Sequence, residues 1–395
     1  MSFPALSGRF PGHLPFGTER KPMRSKSFWL HHLDHRDSTI LKGLAIVAIV
    51  LHNFFHFVSP AQQNEFVFHP GAFDVFLQEL RRPSHSIQAF FSFFGHFGVQ
   101  IFIFLSAYGL AKSHWEDQSS WTQFMWGRIK KLYPTFLLII VPWVFAMAVW
   151  GGPYRLIRDI LPSIAATILG VSTLVGFDLP PVGPWWFIPF IMQFYAIWFL
   201  LRWVTRRFGW RGLLAVAAAG VVVTYVLSPL LAHRTINLLT TPVGRLPTIC
   251  FGIVAARYRV RISGMVAAAG IAILVLGSIY PAGFLFTPFA ALLALLWGYI
   301  CVRDVVRRSG ILLRIGEISM LIFLLNAIVR NQLVRYAISP GQQLYWGFLS
   351  AALSIAISNL IARLLQPATA PVSLSVGDVP DVPKAGAVDC ISPKI

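Results

Sequence analysis

The amino-acid sequence predicts an all-α, polytopic integral membrane helical bundle of about ten transmembrane helices, with one further interfacial or re-entrant segment. Three observations predict it. The mean hydropathy is +0.66, with 56% hydrophobic and only 12% charged residues in 395 positions, too little polar surface to cover a water-soluble globule. Apolar stretches of about 20 residues, the length needed to cross a hydrocarbon core, recur along the chain. The basic residues that make the net charge +18 sit in short clusters between those stretches, not on one soluble module. That distribution argues against a nucleic-acid partner, which would be met by a gathered basic face.

Residues 1–36 are rich in Pro, His and Arg and carry no apolar core, so they are expected to form a cytoplasmic N-terminal segment without a cleavable leader. The first apolar stretch, about 40–59, reads "ILKGLAIVAIVLHNFFHF" and holds Lys42 at one end and His52, Asn53 and His56 at the other. The second, about 90–111, carries His96 early and Ser106 and Tyr108 late. Arg128, Lys130 and Lys131 precede the third, 132–150. The fourth, 156–175, is the weakest, because Arg155, Arg158, Asp159 and Pro162 crowd its start, and it is assigned as the interfacial or re-entrant segment. "GPWWFIPF" opens the fifth, 185–201, and a cluster from Arg202 to Arg211 separates it from the sixth, 212–231. Stretches at about 240–256, 262–280, 284–302, 315–335 and 343–362 complete the set. Counting ten spans from a cytoplasmic N-terminus places all but eight of the 33 Lys and Arg on the inside, with both termini there. An eleven-span count reverses the clusters after residue 201. The transmembrane domain is therefore set at 37–364. The Pro-, Ser-, Val- and Ala-rich remainder, 365–395, is expected to be a disordered cytoplasmic tail.

Ionisable groups inside a span are costly and become functional candidates. At about 1.5 Å per residue, His52 and Asn326 fall at similar depths near mid-membrane. Each polar residue also has a plainer explanation. A span His or Asn can serve as interhelical glue, Ser106 can bond its own backbone, the basic residues can be topology anchors and the Trp pair an interfacial belt. His52 and His56 are four apart on one face, as metal ligands are, but no Cys, Asp or Glu accompanies them at a ligand spacing, so no metal is expected. The three cysteines suggest no disulfide framework.

Six motifs in order carry more than any one of them: "LKGLAIVAIVLH", "GVQIFIFLSAYGL", "GRIKKLYPTFLL", "GPWWFIPFIMQFY", "GRLPTICFGI" and "IGEISMLIFLLN". Together, over about residues 38 to 340, they resemble the acyltransferase 3 family of membrane acyltransferases. The resemblance implies transfer of an acyl group, usually acetyl from acetyl-CoA, to a hydroxyl of a glycan, and a bundle of about ten spans in a bacterial inner membrane. It implies no bound cofactor; acetyl-CoA is a substrate. The family's first-span Arg and His fall on Lys42 and His52, with Lys in place of Arg and nine residues intervening. Where many members carry a late His, this chain has Asn326.

On that basis His52 is expected to be the general base, with Asn326, Ser106 or Tyr108 donating to the thioester oxygen. Lys42, Arg128, Lys130 and Lys131 are expected to meet the donor's phosphates. Trp185, Trp186, His56 and His96 are expected to meet the acceptor, an exopolysaccharide, lipopolysaccharide or lipid-linked glycan. A flippase or a polymerase of lipid-linked glycans is the alternative, and would be marked by repeat symmetry or a large outer loop, neither of which is evident.

Overall fold

The computed structural model describes residues 28–58, 64–175 and 182–365. Most of the N-terminal segment, the tail after residue 365 and Asp178 lie outside the described residues.

Among the described residues every regular element is a helix. Helix α1, His35–Phe55, starts at a capping box in which Asp34 accepts from the Asp37 amide and Asp37 reaches back to the Asp34 amide. It runs through the centre of the bundle, and its apolar residues Ile40, Ile46, Phe54 and Phe55 are wholly buried. The short helices α2, Ala72–Leu80, and α3, Ser86–Phe94, follow. A 3-10 turn, Gly95–Phe97, joins α3 to α4, Gly98–Ser113. Helix α5 spans Trp121–Arg155, and a short π-helical stretch, Leu156–Ile160, leads into α6, Leu161–Ile168. α6 folds back along α5, so that the Tyr133 hydroxyl donates to the Ile168 carbonyl. The fourth apolar stretch is thus a short returning helix with Pro162 in its first turn, where a missing N–H costs nothing.

Helix α7, Phe187–Ala232, contains the fifth and sixth stretches without a loop between them. It breaks at Gly209, whose φ of 63° and ψ of −153° only glycine adopts without strain. Helices α8, Leu246–Arg257, α9, Gly264–Ile279, and α10, Thr287–Val306, follow. α8 is shorter than the 240–256 stretch because two 3-10 turns, Leu238–Thr240 and Val243–Arg245, occupy its start. The next stretch is divided: α11, Gly310–Glu317, and α12, Ser319–Leu333, meet at a 78° bend. The bend is pinned by close packing of α11 on α1. A Cβ at Gly316 would lie 1.9 Å from the Thr39 carbonyl oxygen, and one at Gly43 would lie 2.3 Å from that of Leu312. Helix α13, Pro340–Leu364, closes the bundle.

By length and composition, six helical segments among the described residues can cross a membrane, or seven if the bent α11–α12 pair is one span. Peripheral helices α5 and α7 leave Phe145, Trp150, Tyr225 and Leu230 exposed, the surface expected of a multi-pass membrane protein in lipid.

The basic clusters gather at one end of the bundle, as the charge pattern predicts. The Lys112 ammonium donates to the His31 carbonyl at 2.9 Å, and the Leu30 amide to that of Val260 at 2.9 Å. Arg202 donates to the Asp117 carbonyl at 2.6 Å, and Arg206 pairs with Glu116 at 3.0 Å. Wholly buried Asp37 takes two hydrogen bonds from Arg303, at 2.9 and 2.8 Å, and one from the Tyr299 hydroxyl at 2.7 Å. These bonds lock the start of α1 to the end of α10, and so hold Lys42 and His52 in fixed positions on a rigid axis.

Candidate active site

A cavity of about 790 Å³ opens at the basic end, between α1, α4, α5, α7 and α12. Lys42, Lys112, Arg128 and Lys131 line it together with Ser38, Ser106 and Tyr108, and its deep wall is apolar, formed by Ile49, Val99, Phe187 and Phe323. Ile49 precedes His52 by three residues, so the deep wall ends about 4.5 Å of helix rise, nearly one turn, below the His52 layer. Lys42 is half-buried on the first α1 turns to enter the cavity. A cluster of cations over an apolar shaft suits a polyanionic ligand with a long uncharged arm.

His52 is 2% exposed. Its Nδ1 faces the backbone carbonyls of Phe91, at 3.2 Å, and Ser92, at 3.0 Å. These belong to the last turn of α3, where the Phe91 carbonyl also accepts the Gly95 amide. Carbonyl oxygens only accept, so Nδ1 carries the hydrogen and Nε2 is the basic atom. The close approach of α1 and the 3-10 turn depends on Gly95, where a Cβ would lie 2.6 Å from the Ala48 carbonyl oxygen and 2.7 Å from the His52 Cβ.

Around His52 the structure assembles His56, His96 and Glu65. The His56 ring stacks on His52 with centroids 5.4 Å apart, and the His96 ring meets it edge-on at 5.2 Å. His96 is 5% exposed, and both its ring nitrogens are buried without a hydrogen-bond partner among the described residues. Glu65 Oε2 lies 3.5 Å from His52 Nε2. Burial pushes the Glu65 carboxyl up, but the facing His52 ring, with the His96 and His56 rings beside it, outweighs this and holds it at about 2, so it is a carboxylate at neutral pH. Buried Arg245 contributes positive charge to the same pocket and fixes its own Nε on the Leu239 carbonyl at 2.9 Å. Among the described residues no group of three His, Cys, Asp or Glu converges on a metal-binding point.

Sequence reasoning missed Glu65 and Arg245. Glu65 falls in a connection that has no apolar period. Its one signal was its type, since only 15 residues of the chain are acidic.

The other residues singled out in the sequence stand in different surroundings. Asn326 does share a layer with α1, accepting from Asn53 Nδ2 at 2.7 Å, but its own amide nitrogen is committed to the Ile322 and Phe323 carbonyls at 3.2 and 2.5 Å. It is an interhelical clamp with no donor left for a thioester oxygen. The Tyr108 hydroxyl donates to the carbonyls of Leu30 and Leu33, at 3.1 and 3.0 Å, and so ties down the N-terminal turn. Ser106 lines the cavity but spends its hydrogen on the Phe102 carbonyl four residues back, at 2.7 Å. Lys130 lies outside the cavity, its ammonium 5.3 Å above the exposed Trp126 ring. Trp185 and Trp186 present no open face. Trp185 is wholly buried, packs edge-on against Phe136 and Trp143, and donates its indole N–H to the Leu324 carbonyl at 3.1 Å. Trp186 is 5% exposed and is packed by Phe66, Phe187 and Phe190.

Fold and site together define a multi-pass membrane protein with a buried histidine above a cationic cavity. A family model described as an acyltransferase domain, that of acyltransferase 3, matches residues 36–363, and the chain belongs to that family. No curated protein and no solved structure gives a match.

Proposed function

We propose that the chain is an O-acyltransferase that takes acetyl from acetyl-CoA and places it on a hydroxyl of an exopolysaccharide, lipopolysaccharide or lipid-linked glycan. The observation that carries this reading is the cavity itself, which runs along α1 from Lys42 to within a turn of His52. The donor's phosphates meet Lys42, Arg128 and Lys131, and its uncharged arm follows the apolar wall towards Ile49. His52 Nε2 takes the acceptor's hydroxyl proton as the hydroxyl oxygen bonds to the acyl carbon. The C–S bond breaks with its electron pair on sulfur, and the proton passes from His52 to the thiolate, leaving free coenzyme A and the ester. His96, with a ring N–H that no described residue uses, and His56, both packed on the His52 ring, meet the acceptor. Comparing the O-acyl content of cell-surface glycans by NMR, with and without the gene, tests the activity. Unchanged O-acylation of every glycan class would sink it.

Removing the charge at Lys42, or at Arg128 and Lys131 together, is expected to raise the acetyl-CoA concentration for half-maximal rate by about tenfold or more, with a smaller effect on the limiting rate. Lys130→Ala is the control, since Lys130 lies outside the cavity. Equal behaviour of all three variants would reduce the cluster to a topology anchor.

The membrane arrangement we propose has about ten spans, with α7 contributing two on either side of Gly209, both termini cytoplasmic, in a bacterial inner membrane. In a background with the native cysteines replaced by serine, a single cysteine at exposed Gln78 should react with an impermeant maleimide in intact cells. One at exposed Arg207 should react only after permeabilisation. The opposite pattern would invert the orientation and put the cavity mouth outside.

A further inference from the structure

Glu65 is delivered to His52 by a connection that is pinned on both sides of it. Asn64, 3% exposed, donates from Nδ2 to the Ser278 carbonyl on α9 at 3.2 Å and accepts from the His69 amide at 2.8 Å. On the other side, the Phe66 carbonyl accepts from Asn237 Nδ2 at 2.9 Å, and the Phe66 ring stands edge-on to Trp186 at 5.3 Å. Fixing a loop by two neighbouring anchors costs conformational freedom, and the only side chain between them is a carboxylate directed at His52. The gap of 3.5 Å from Oε2 to Nε2 exceeds an ordinary hydrogen bond, so Glu65 faces the Nε2 lone pair without occupying it.

We infer that Glu65 is a positioning residue for the acyl transfer, stabilising the imidazolium formed when His52 Nε2 takes the acceptor's proton. The inference rests on the reading of His52 as the base. In the base form of His52, the form that can take a proton, Glu65 faces a neutral ring. During the reaction the hydroxyl proton moves to Nε2, a positive charge appears on the ring, and the carboxylate opposite it gains an ion-pair partner that it lacked before. An interaction that strengthens as charge develops lowers the barrier and not merely the substrate's free energy. Nδ1, held by the Phe91 and Ser92 carbonyls, cannot turn away while this happens. Trp186 then has a structural part in the site, as the prop beneath Phe66. The charged and titratable groups facing Glu65 are His52 and His56 from α1, His96 from the 3-10 turn before α4, and Arg245 from the turn before α8.

The test uses the full-length protein in proteoliposomes with labelled acetyl-CoA and glycan acceptor, and measures rate against pH for Glu65→Gln and Glu65→Asp. Glu65→Gln should lower the limiting rate by about 10–100-fold, less than loss of the base itself, with the half-saturating acetyl-CoA concentration within about twofold. Without the carboxylate the protonated ring is harder to form, so the acid limb of the rate profile should move to lower pH. Glu65→Asp keeps the charge at a longer distance and should recover part of the rate with the acid limb near its wild-type position. A wild-type rate and profile in Glu65→Gln would overturn the inference. So would an equal loss at every pH in both variants, with the limb unmoved, which is the signature of a loop prop. A Glu65→Gln variant that fails to fold, beside a folded Glu65→Asp with a displaced limb, would also overturn it. His52→Gln separates the two levels. Activity retained there removes the base on which the inference stands, whereas activity lost there with Glu65→Gln unaffected removes only the role of Glu65.

Discussion

Replacing His52 with alanine is expected to lower acceptor acylation by about 10²–10⁴-fold while membrane insertion and acetyl-CoA binding persist. Insertion should survive because His52 is one residue of a helix whose anchoring lies elsewhere, in the Asp34 and Asp37 caps and the Arg303 ion pair. Donor binding should survive because no cavity-lining group is altered. His52→Gln sharpens the test, since an amide can donate to the Phe91 and Ser92 carbonyls but cannot accept a proton at neutral pH. Activity in the Gln variant would mean that His52 only ties α1 to α3. His56→Ala and His96→Ala should be milder in limiting rate and should act mainly on acceptor concentration. If all three histidine changes abolished activity, and a chelator did the same to the wild type, a metal would have to replace the base.

The second large effect is expected from a single methyl group. In Gly95→Ala the new Cβ would meet the Ala48 carbonyl oxygen at 2.6 Å and the His52 Cβ at 2.7 Å. The first obstacle is backbone, which no rotamer change relieves, so the 3-10 turn must be pushed off α1. Overpacking of this kind costs about 1–3 kcal/mol or more. The same displacement takes the Phe91 and Ser92 carbonyls away from Nδ1, so any protein that folds should lose at least about tenfold in rate. Gly298→Ala, where nothing lies within 4 Å, is the matched control on α10 and should leave yield and rate unchanged. The close-packing account fails if the two variants behave alike in detergent-solubilised melting and in activity.

Both results bear on how much of the site could be read in advance. Lys42, His52 and Asn326 were conspicuous because each is a polar residue in an apolar stretch, and depth along a helix follows from residue count. Their partners were not conspicuous. Asn326 reads equally well as oxyanion donor or clamp until Asn53 is found 2.7 Å away and its amide donors are found spent. Trp185 and Trp186 read as an acceptor platform or an interfacial belt, yet Phe136, Trp143 and the Leu324 carbonyl enclose Trp185, and Phe66, Phe187 and Phe190 enclose Trp186. The 315–335 stretch carries no Pro, and its division at a 78° bend follows from how tightly Gly316 sits on Thr39 of another helix.

By itself the amino-acid sequence determined that this is a helical membrane protein, where its apolar stretches lie and which basic clusters share an end. Hydrophobic length and charge bias are sums over neighbouring residues, so they are legible one segment at a time. Only the tertiary structure decided that Glu65 and His96 meet His52, that Lys130 turns away from the cavity that Lys131 enters, and that Tyr108 and Asn326 have no donor to spare. The physical reason is that hydrogen-bond capacity and burial are settled by partners far away in the chain, such as Asn326 for Asn53 and Leu30 for Tyr108, and no local pattern records which partner will arrive.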